Sequence, residues 1–348
     1  MSDVGVGLLG YGVAGSAFHS PLVAATPGLR LASVASRQKD KVLARYPDAT
    51  VASRPESVIQ DPAVTLVVIA TPNETHVPLA EAALDAGKHV VVDKPLALTA
   101  ADAQALSERA QRRGLLLIPY HNRRWDNDYL TLSQCIDAGL LGEVRTWEAH
   151  FDRYRPTIKD SWREEPGDGA GMLYDLGPHL IDQVLCRMGS PESVFADVQC
   201  QRDGAQVDDY FHLVLRWGRT RAILHGGALV RGQAPRFAVH GTRGSFVKYG
   251  IDPQETALRR GGIPGGPGWG EEPTAFHATV TTEQGGVELT SRVPSIPGDY
   301  GAFYRGVLTA IRHGAPPPVS AQAAVDTLRV IEAAQRSAEG GKVEWLNG

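Results

Sequence analysis

The chain has 348 residues, a length that suggests two domains of ordinary size, each with its own core. Its formal net charge is −4, which argues against a nucleic-acid partner, because such proteins usually carry a basic stripe. None of the three cysteines belongs to a C-x-x-C pair, so neither a disulfide framework nor a cysteine–zinc site is indicated. We find no secretory signal and no apolar run long enough for a bilayer, and therefore expect a soluble cytoplasmic protein without a membrane partner.

A glycine-rich turn follows a short apolar stretch near the start of the chain. An apolar strand is predicted over residues 4–9 and a helix over residues 14–25, with G-x-G-x-x-G spacing between them. The first glycine allows the sharp turn, the second lets the backbone approach a pyrophosphate, and the third lets helix and strand pack closely. The phosphates would lie at the start of the helix, where N–H groups and the helix dipole favour negative charge. Such spacing also occurs in ordinary tight turns, but the flanking strand and helix favour a dinucleotide. The predicted phosphate-binding residues are Gly10, Gly12, Val13, Ala14 and Gly15.

Apolar and helical stretches alternate along the rest of the first third of the chain. This alternation predicts βαβ units and a doubly wound parallel sheet, which we assign to a dinucleotide-binding domain over residues 1–121. Ligands of such sheets bind at the carboxyl ends of the strands. The further predicted strands are residues 29–35, 64–70, 88–93 and 115–120, and the helices are residues 40–46, 76–86 and 100–113.

The end of the second strand bears on cofactor choice. An NAD-specific site normally has an acidic residue there that binds the ribose 2′-hydroxyl, whereas this chain has Ser36 and Arg37. Ser36 does not repel a 2′-phosphate, and Arg37 can pair with it through charge-assisted hydrogen bonds, so the sequence favours NADP. In the alternative, Arg37 only stacks on the adenine and NAD is accepted as well.

Polar residues also follow the third, fourth and fifth strands. Lys94, at the end of the fourth, can donate a hydrogen bond to a substrate oxygen on which charge develops. The alternative is a solvated surface lysine, which is the commonest fate of lysine. The other predicted cofactor-binding residues at these strand ends are Thr71, Pro72, Asn73, His76, Asp93 and Asn122.

The character of the sequence changes near residue 122. Successive strands without helices between them predict an antiparallel sheet with one face available for a partner. We assign residues 122–348 to a second domain that binds substrate and forms oligomers. Its predicted strands are residues 144–154, 193–201, 209–217, 221–229 and 236–249, and its helices include residues 129–138 and 321–339.

A candidate acid–base pair lies in the second half. Pro178 suits the first position of a helix, which would put His179 in the first turn with Asp175 just outside. A helix start disfavours the imidazolium and keeps His179 neutral as a base, while Asp175 fixes its tautomer. Alternatively His179 is structural and Asp175 only caps the helix. We predict no metal site, because His179, Asp182 and His150 lack metal-ligand spacing.

These motifs together resemble the Gfo/Idh/MocA family of oxidoreductases along nearly the whole chain. The glycine turn is generic, whereas the Asp93-Lys94-Pro95 motif and residues 175–179 are more specific. The resemblance implies an N-terminal Rossmann domain and a C-terminal α/β domain with an open, mostly antiparallel sheet. That sheet would form the interface of a homodimer or homotetramer.

Within the family, the chain looks like the bacterial NADP-dependent scyllo-inositol dehydrogenases. This likeness is carried by residues 120–128, 152–156 and 246–252. The resemblance implies that Lys94 and His179 are catalytic and that Asp175 supports His179. Family members usually have glutamate where this chain has Asp93, and the Lys94–Pro95 bond is often cis. Trp162 and Arg163 look like a cofactor-contacting pair. The predicted substrate-binding residues are Lys94, His121, Arg123, Asp126, Arg153, Tyr154, Asp175 and His179.

The expected activity is reversible hydride transfer between NADP(H) and a secondary alcohol of a cyclic polyol, with scyllo-inositol as the first substrate to test. One alternative is a dehydrogenase or reductase of another sugar that uses the same residues. A second is redox-assisted elimination, which also begins with hydride abstraction. A third is a regulator that binds NADP without turnover, although it would have no reason to carry Lys94, Asp175 and His179 together.

Overall fold

The computed structural model describes residues 2–158 and 164–346, and it divides the chain into two compact units. Unit 1 comprises Met1–Trp125, Gln254–Trp269 and Asp299–Val325. Unit 2 comprises Asp126–Pro253, Gly270–Gly298 and Asp326–Gly348. The sequence predicts a single boundary after residue 121, whereas unit 1 also takes two later segments of the chain.

The sheet of unit 1 is parallel, as predicted for a doubly wound fold. Its strands are β1 (Val4–Leu9), β2 (Leu29–Ala35), β3 (Thr50–Ala52), β4 (Leu66–Ile69), β5 (His89–Val92) and β6 (Leu117–Pro119). Their order is β3-β2-β1-β4-β5-β6, so the winding reverses between β1 and β4. Such a reversal is the point at which these sheets bind ligands.

Helices account for much of the rest of the described chain. They are α1 (Ser20–Ala24), α2 (Lys39–Arg45), α3 (Pro55–Ile59), α4 (His76–Asp85), α5 (Ala100–Arg112), α6 (Asn127–Asp137), α7 (Met172–Met188), α8 (Gln254–Arg259), α9 (Gly301–His313) and α10 (Ala321–Gly340). Within the described ranges, none of them combines the length and apolar character needed to cross a membrane.

Helix α9 explains why unit 1 takes a late segment of the chain. Tyr300, Phe303, Tyr304 and Val307 are fully buried and belong to the same hydrophobic core as the strands β1, β2 and β4. Burying aromatic side chains of this size contributes strongly to stability. The core of the dinucleotide-binding unit is therefore completed by residues far along the sequence.

The helix after the glycine turn differs from the prediction. Residues Ala14–His19 form a π-helical turn that runs directly into α1, rather than one α-helix over residues 14–25. π-Helical turns are frequent at functional sites. The turn packs closely on the glycine loop, because a Cβ at Gly15 would lie 2.1 Å from the carbonyl oxygen of Gly10.

Unit 2 is built on a nine-stranded sheet. Its strands are β7 (Val144–His150), β8 (Ser193–Gln199), β9 (Tyr210–Trp217), β10 (Thr220–Gly227), β11 (Phe237–Gly241), β12 (Gly244–Lys248), β13 (Ala278–Gln284), β14 (Val287–Val293) and β15 (Glu344–Trp345). Their order is β14-β13-β12-β11-β7-β10-β9-β8-β15. Among the described strands of this sheet, only β7 and β10 pair in parallel, which confirms the mostly antiparallel sheet.

Two parts of this sheet differ from the sequence-based expectation. The single strand predicted over residues 236–249 is a hairpin of β11 and β12, with Gly241 packed so closely that a Cβ would lie 2.2 Å from the carbonyl oxygen of Leu141. The hairpin of β13 and β14 was not predicted. Strand β14 is exposed along nearly its whole length, so it lacks the apolar alternation that identifies a strand.

A pair of glycine substitutions tests the packing of unit 1. A Cβ at Gly5 would lie 1.7 Å from the carbonyl oxygen of Ala63, so Gly5→Ala should lower the free energy of unfolding by about 1–3 kcal/mol. Gly12→Ala is the matched control, because a Cβ there meets no atom within 4 Å. Urea unfolding of the cofactor-free protein measures both. Equal unfolding free energies for the two variants would contradict this packing.

Candidate active site

The glycine turn lies where three strands of unit 1 end. The Gly10 N–H donates to the carbonyl oxygen of Ala35 at the end of β2, at 3.1 Å. A Cβ at Gly10, whose φ is +92°, would lie 2.5 Å from the carbonyl oxygen of Ala70 after β4. Beside these close contacts the backbone at Gly12 faces open space, with no atom within 4 Å of an added Cβ. The turn therefore fits the close approach of a pyrophosphate.

The end of β2 carries a hydroxyl and an exposed guanidinium. The Ser36 hydroxyl oxygen accepts a hydrogen bond from the Gln38 N–H at 2.9 Å, and the Ser36 N–H donates to the carbonyl oxygen of Ala52. Arg37 is exposed. A serine and an arginine at this position suit a negatively charged group on the ribose better than an acidic residue would.

His76 joins the loops that follow β4 and β5. Its Nδ1 lies 2.7 Å from the carbonyl oxygen of Pro95 and its Nε2 lies 2.9 Å from that of Thr71. A neutral imidazole has a single N–H and can donate to only one of these oxygens. The ring is buried, so the structure assigns it to connecting the loops.

The Asp93-Lys94-Pro95 segment follows β5 directly. The Lys94–Pro95 peptide bond is cis, which confirms the expectation from the family resemblance. The Lys94 N–H donates to Asp93 Oδ1 at 2.9 Å, so the carboxylate holds the backbone of the lysine. Asp93, which is shorter than the family's usual glutamate, thus accepts a hydrogen bond from the residue that follows it.

A buried histidine that the sequence did not single out lies next to Asp93. His19 Nδ1 is 2.6 Å from the Tyr304 hydroxyl, and His19 Nε2 is 4.0 Å from Asp93 Oδ1. Its ring packs on that of Tyr120, with 4.3 Å between ring centroids. Burial lowers the pKa of His19 to about 4, and it outweighs the opposing effect of the Asp93 charge. His19 is therefore neutral at physiological pH.

Asp175 and His179 both lie within α7, which corrects the predicted helix start at Pro178. The helix begins at Met172, Pro178 is inside it, and His179 lies about two turns from its start. The field of a helix end fades within one turn, so the helix-start argument for a neutral His179 was wrong. Asp175 is the residue in the first turn, and it shares a helix face with His179 four residues later.

The early start of α7 depends on an aspartate from elsewhere in unit 2. Asp208 Oδ2 accepts a hydrogen bond from the Leu173 N–H at 2.6 Å, and the Asp208 carbonyl oxygen accepts one from the Met172 N–H at 2.8 Å. Burial raises the pKa of Asp208 to about 6, although these hydrogen bonds oppose the shift. In the sequence, Asp208 stands out only as part of the Asp208-Asp209 pair before β9, and such a pair does not indicate which helix it caps.

A polar cleft of about 190 Å³ opens beside the start of α7. Arg153 approaches Asp175, with 3.9 Å between Nη1 and Oδ2. Arg202 is buried and pairs with both Glu164 and Asp209. The cleft thus offers several hydrogen-bond donors and acceptors close together. The lining residues with charged side chains are Arg153, Arg155, Glu164, Asp175, Arg202, Asp208 and Asp209.

Other predicted site residues are dispersed. Tyr154 is exposed and carries the Arg231 guanidinium 4.0 Å above its ring. Arg123 is buried and pairs with Glu255 at 2.6 Å, and Asp126 has no exposed surface. His121 and Asn122 are also buried. The predicted cofactor-contacting pair, Trp162 and Arg163, lies outside the described residues.

Comparison with known proteins identifies the family. Residues 4–121 match the NAD-binding Rossmann domain of the Gfo/Idh/MocA oxidoreductase family, and residues 133–347 match its C-terminal alpha/beta domain. The chain belongs to this family. It is therefore an oxidoreductase with an NAD(P)-binding Rossmann domain.

Several relatives align with nearly the whole length of this chain. The uncharacterized oxidoreductase YdgJ of Escherichia coli is 45% identical over 340 residues, which are 97% of this chain and 98% of YdgJ. The scyllo-inositol 2-dehydrogenase (NADP(+)) IolW of Bacillus subtilis is 42% identical over 97% of this chain and 95% of its own. The solved structure of the oxidoreductase yvaA from Bacillus subtilis aligns with a TM-score of 0.97, at 41% identity over 99% of both chains.

The burial of His19 predicts a specific pH dependence of stability. Its folded-state pKa of about 4 lies below the ordinary value of 6.5, so the unfolded state binds more protons between these values. Above pH 6.5, His19 causes no change in the free energy of unfolding with pH. As the pH drops from 6.5 towards 4, the free energy of unfolding falls by about 3 kcal/mol. Denaturant unfolding at several pH values should show a flatter profile for His19→Gln than for the unsubstituted protein. Parallel profiles would contradict the assignment.

Proposed function

We propose that this oxidoreductase transfers a hydride reversibly between NADP(H) and a secondary alcohol of a cyclic polyol, with scyllo-inositol and scyllo-inosose as the first substrate pair. One observation carries the proposal. Asp175 and His179 share a face of α7, whose start lines a cleft rich in hydrogen-bonding groups. A carboxylate and a histidine so spaced suit proton transfer to and from an alcohol.

The proposed chemistry assigns a separate task to each side chain. NADP, when bound, supplies the hydride acceptor. During oxidation the hydroxyl proton passes to His179 while the C–H electron pair leaves as hydride, and the carbon becomes a carbonyl. Asp175 orients the His179 ring and stabilises its charged form, and Lys94 donates a hydrogen bond to the reacting oxygen. Reduction follows the same steps in reverse.

The substrate class is supported by the character of the cleft and by a relative. A polyol presents hydroxyl groups that both donate and accept hydrogen bonds, and Arg153 and Asp175 offer complementary groups. IolW, which resembles this chain over nearly its whole length, is named a scyllo-inositol 2-dehydrogenase that uses NADP. A homodimer or homotetramer through the unit 2 sheet remains a further prediction.

Arg37 provides a test of cofactor preference. Arg37→Ala should raise the KM for NADP by about 10- to 100-fold and leave the KM for NAD nearly unchanged, because a charge-assisted hydrogen bond to the 2′-phosphate is lost. Lys39→Ala removes a neighbouring exposed cation and serves as the control. Initial rates with each cofactor measure the effect. A native enzyme that prefers NAD, or an Arg37→Ala variant without change, would contradict the role of this residue.

His179 provides a test of the proton-transfer step. His179→Ala should lower kcat for scyllo-inositol oxidation by about 100- to 10,000-fold while NADP binding stays nearly intact. His313→Ala, an exposed histidine at the end of α9, should retain the native kcat. Turnover is followed by NADPH absorbance and cofactor binding by fluorescence titration.

The alternatives give different results in the same assays. Higher kcat/KM for an aldose or a keto-sugar than for any cyclitol would replace the substrate assignment. NADP binding without turnover of any polyol or sugar would instead indicate a regulatory protein. A product that has lost water would indicate redox-assisted elimination.

A further inference from the structure

Three histidines form a row across neighbouring strands of the unit 2 sheet. His225 on β10 pairs with His150 on parallel β7 and with His212 on antiparallel β9. Residues opposite each other in a sheet project on the same face, and along these strands the histidines alternate with buried apolar residues. The row therefore lies on the half-exposed face of the sheet.

Asp152 links two of these histidines. The chain continues in extended pairing beyond β7, since the Phe151 N–H donates to the carbonyl oxygen of His225. Asp152 therefore projects on the same face as His150, two residues earlier. Asp152 Oδ1 lies 2.7 Å from His225 Nδ1, and Asp152 Oδ2 lies 3.2 Å from His150 Nδ1.

We propose that His150, Asp152 and His225 form a binding site for a divalent transition-metal ion of the zinc type. The three residues can each offer one ligand atom, and these atoms all lie within 4.8 Å of one another. A tetrahedral ion about 2.0–2.2 Å from each ligand requires separations of about 3.4 Å, which small side-chain rotations supply. Two imidazoles and one carboxylate leave the fourth position open to water.

The donor set selects the type of ion. Imidazole nitrogen suits zinc, cobalt, nickel and copper, whereas magnesium and calcium prefer oxygen ligands. In the single chain His150 is 20% exposed and His225 15% exposed, and His150 and Asp152 line a surface cleft of about 280 Å³. In the sequence, His150 was weighed as a metal ligand only together with His179 and Asp182. The structure groups it instead with Asp152 and His225.

The neighbouring aromatic ring orients one of the proposed ligands. Tyr210 packs edge-on against His225 with 5.3 Å between ring centroids. Packing of this kind limits the orientations that the imidazole can take. The site is separate in chemistry from hydride transfer, because the proposed reaction uses neither His150 nor His225.

Metal titration of the tag-free, chelator-treated protein tests the proposal. Calorimetry with zinc should show one ion per chain, and cobalt should give the visible absorption of a low-coordinate site. Excess magnesium should not compete. His225→Gln should weaken zinc binding at least as much as the 10- to 100-fold loss typical of outer-shell substitutions. His240→Gln, at an exposed histidine of β11, should bind zinc like the unsubstituted protein.

Each outcome decides the proposal. It is supported if His225→Gln loses affinity while its metal-free unfolding midpoint stays close to that of the unsubstituted protein. If that variant does not fold, His150→Gln replaces it in the same comparison. The proposal is overturned if zinc does not bind at micromolar concentration, or if His240→Gln loses as much affinity as the variants in the cluster.

Discussion

Backbone packing around the first glycines sets the geometry on which the rest of the nucleotide-binding unit depends. An added Cβ at Gly10 or Gly15 would lie within 2.5 Å of a carbonyl oxygen, so only glycine permits the turn to contact the ends of neighbouring strands. The same contacts leave open space at Gly12. The carboxyl edge of the parallel sheet, where Lys94 also follows a strand, is thus shaped by the absence of side chains at a few positions.

Histidines in this chain occupy different environments. Burial keeps His19 neutral, while His76 lies between two carbonyl oxygens. His225 contacts a carboxylate on a half-exposed sheet face. His179 instead lies inside a helix, with Asp175 one turn before it. The environment of each ring, rather than the residue type, determines whether it supports the fold, joins loops or suits the proton transfer that we propose for His179.

Local sequence patterns predicted much of the fold and part of the site. The strands of the parallel sheet and the glycine turn follow from short motifs whose physical causes lie within a few residues, whereas the cis bond before Pro95 was expected from the family resemblance. The start of α7 did not, because Pro178 favours a first helical position while the actual start depends on Asp208, which is distant in sequence. Long-range aromatic packing by Tyr300 and Phe303 likewise has no local signal, and it decides which unit the segment joins.

Transfer of deuterium from substrate to cofactor tests the central claim most directly. The protein would be incubated with NADP and scyllo-inositol that carries deuterium at every ring carbon, and the reduced cofactor would be analysed by mass spectrometry and NMR. Direct hydride transfer predicts one deuterium at C4 of the nicotinamide and one ketone in the polyol product. Reduced cofactor without deuterium, or no reduction with any polyol, would contradict the account.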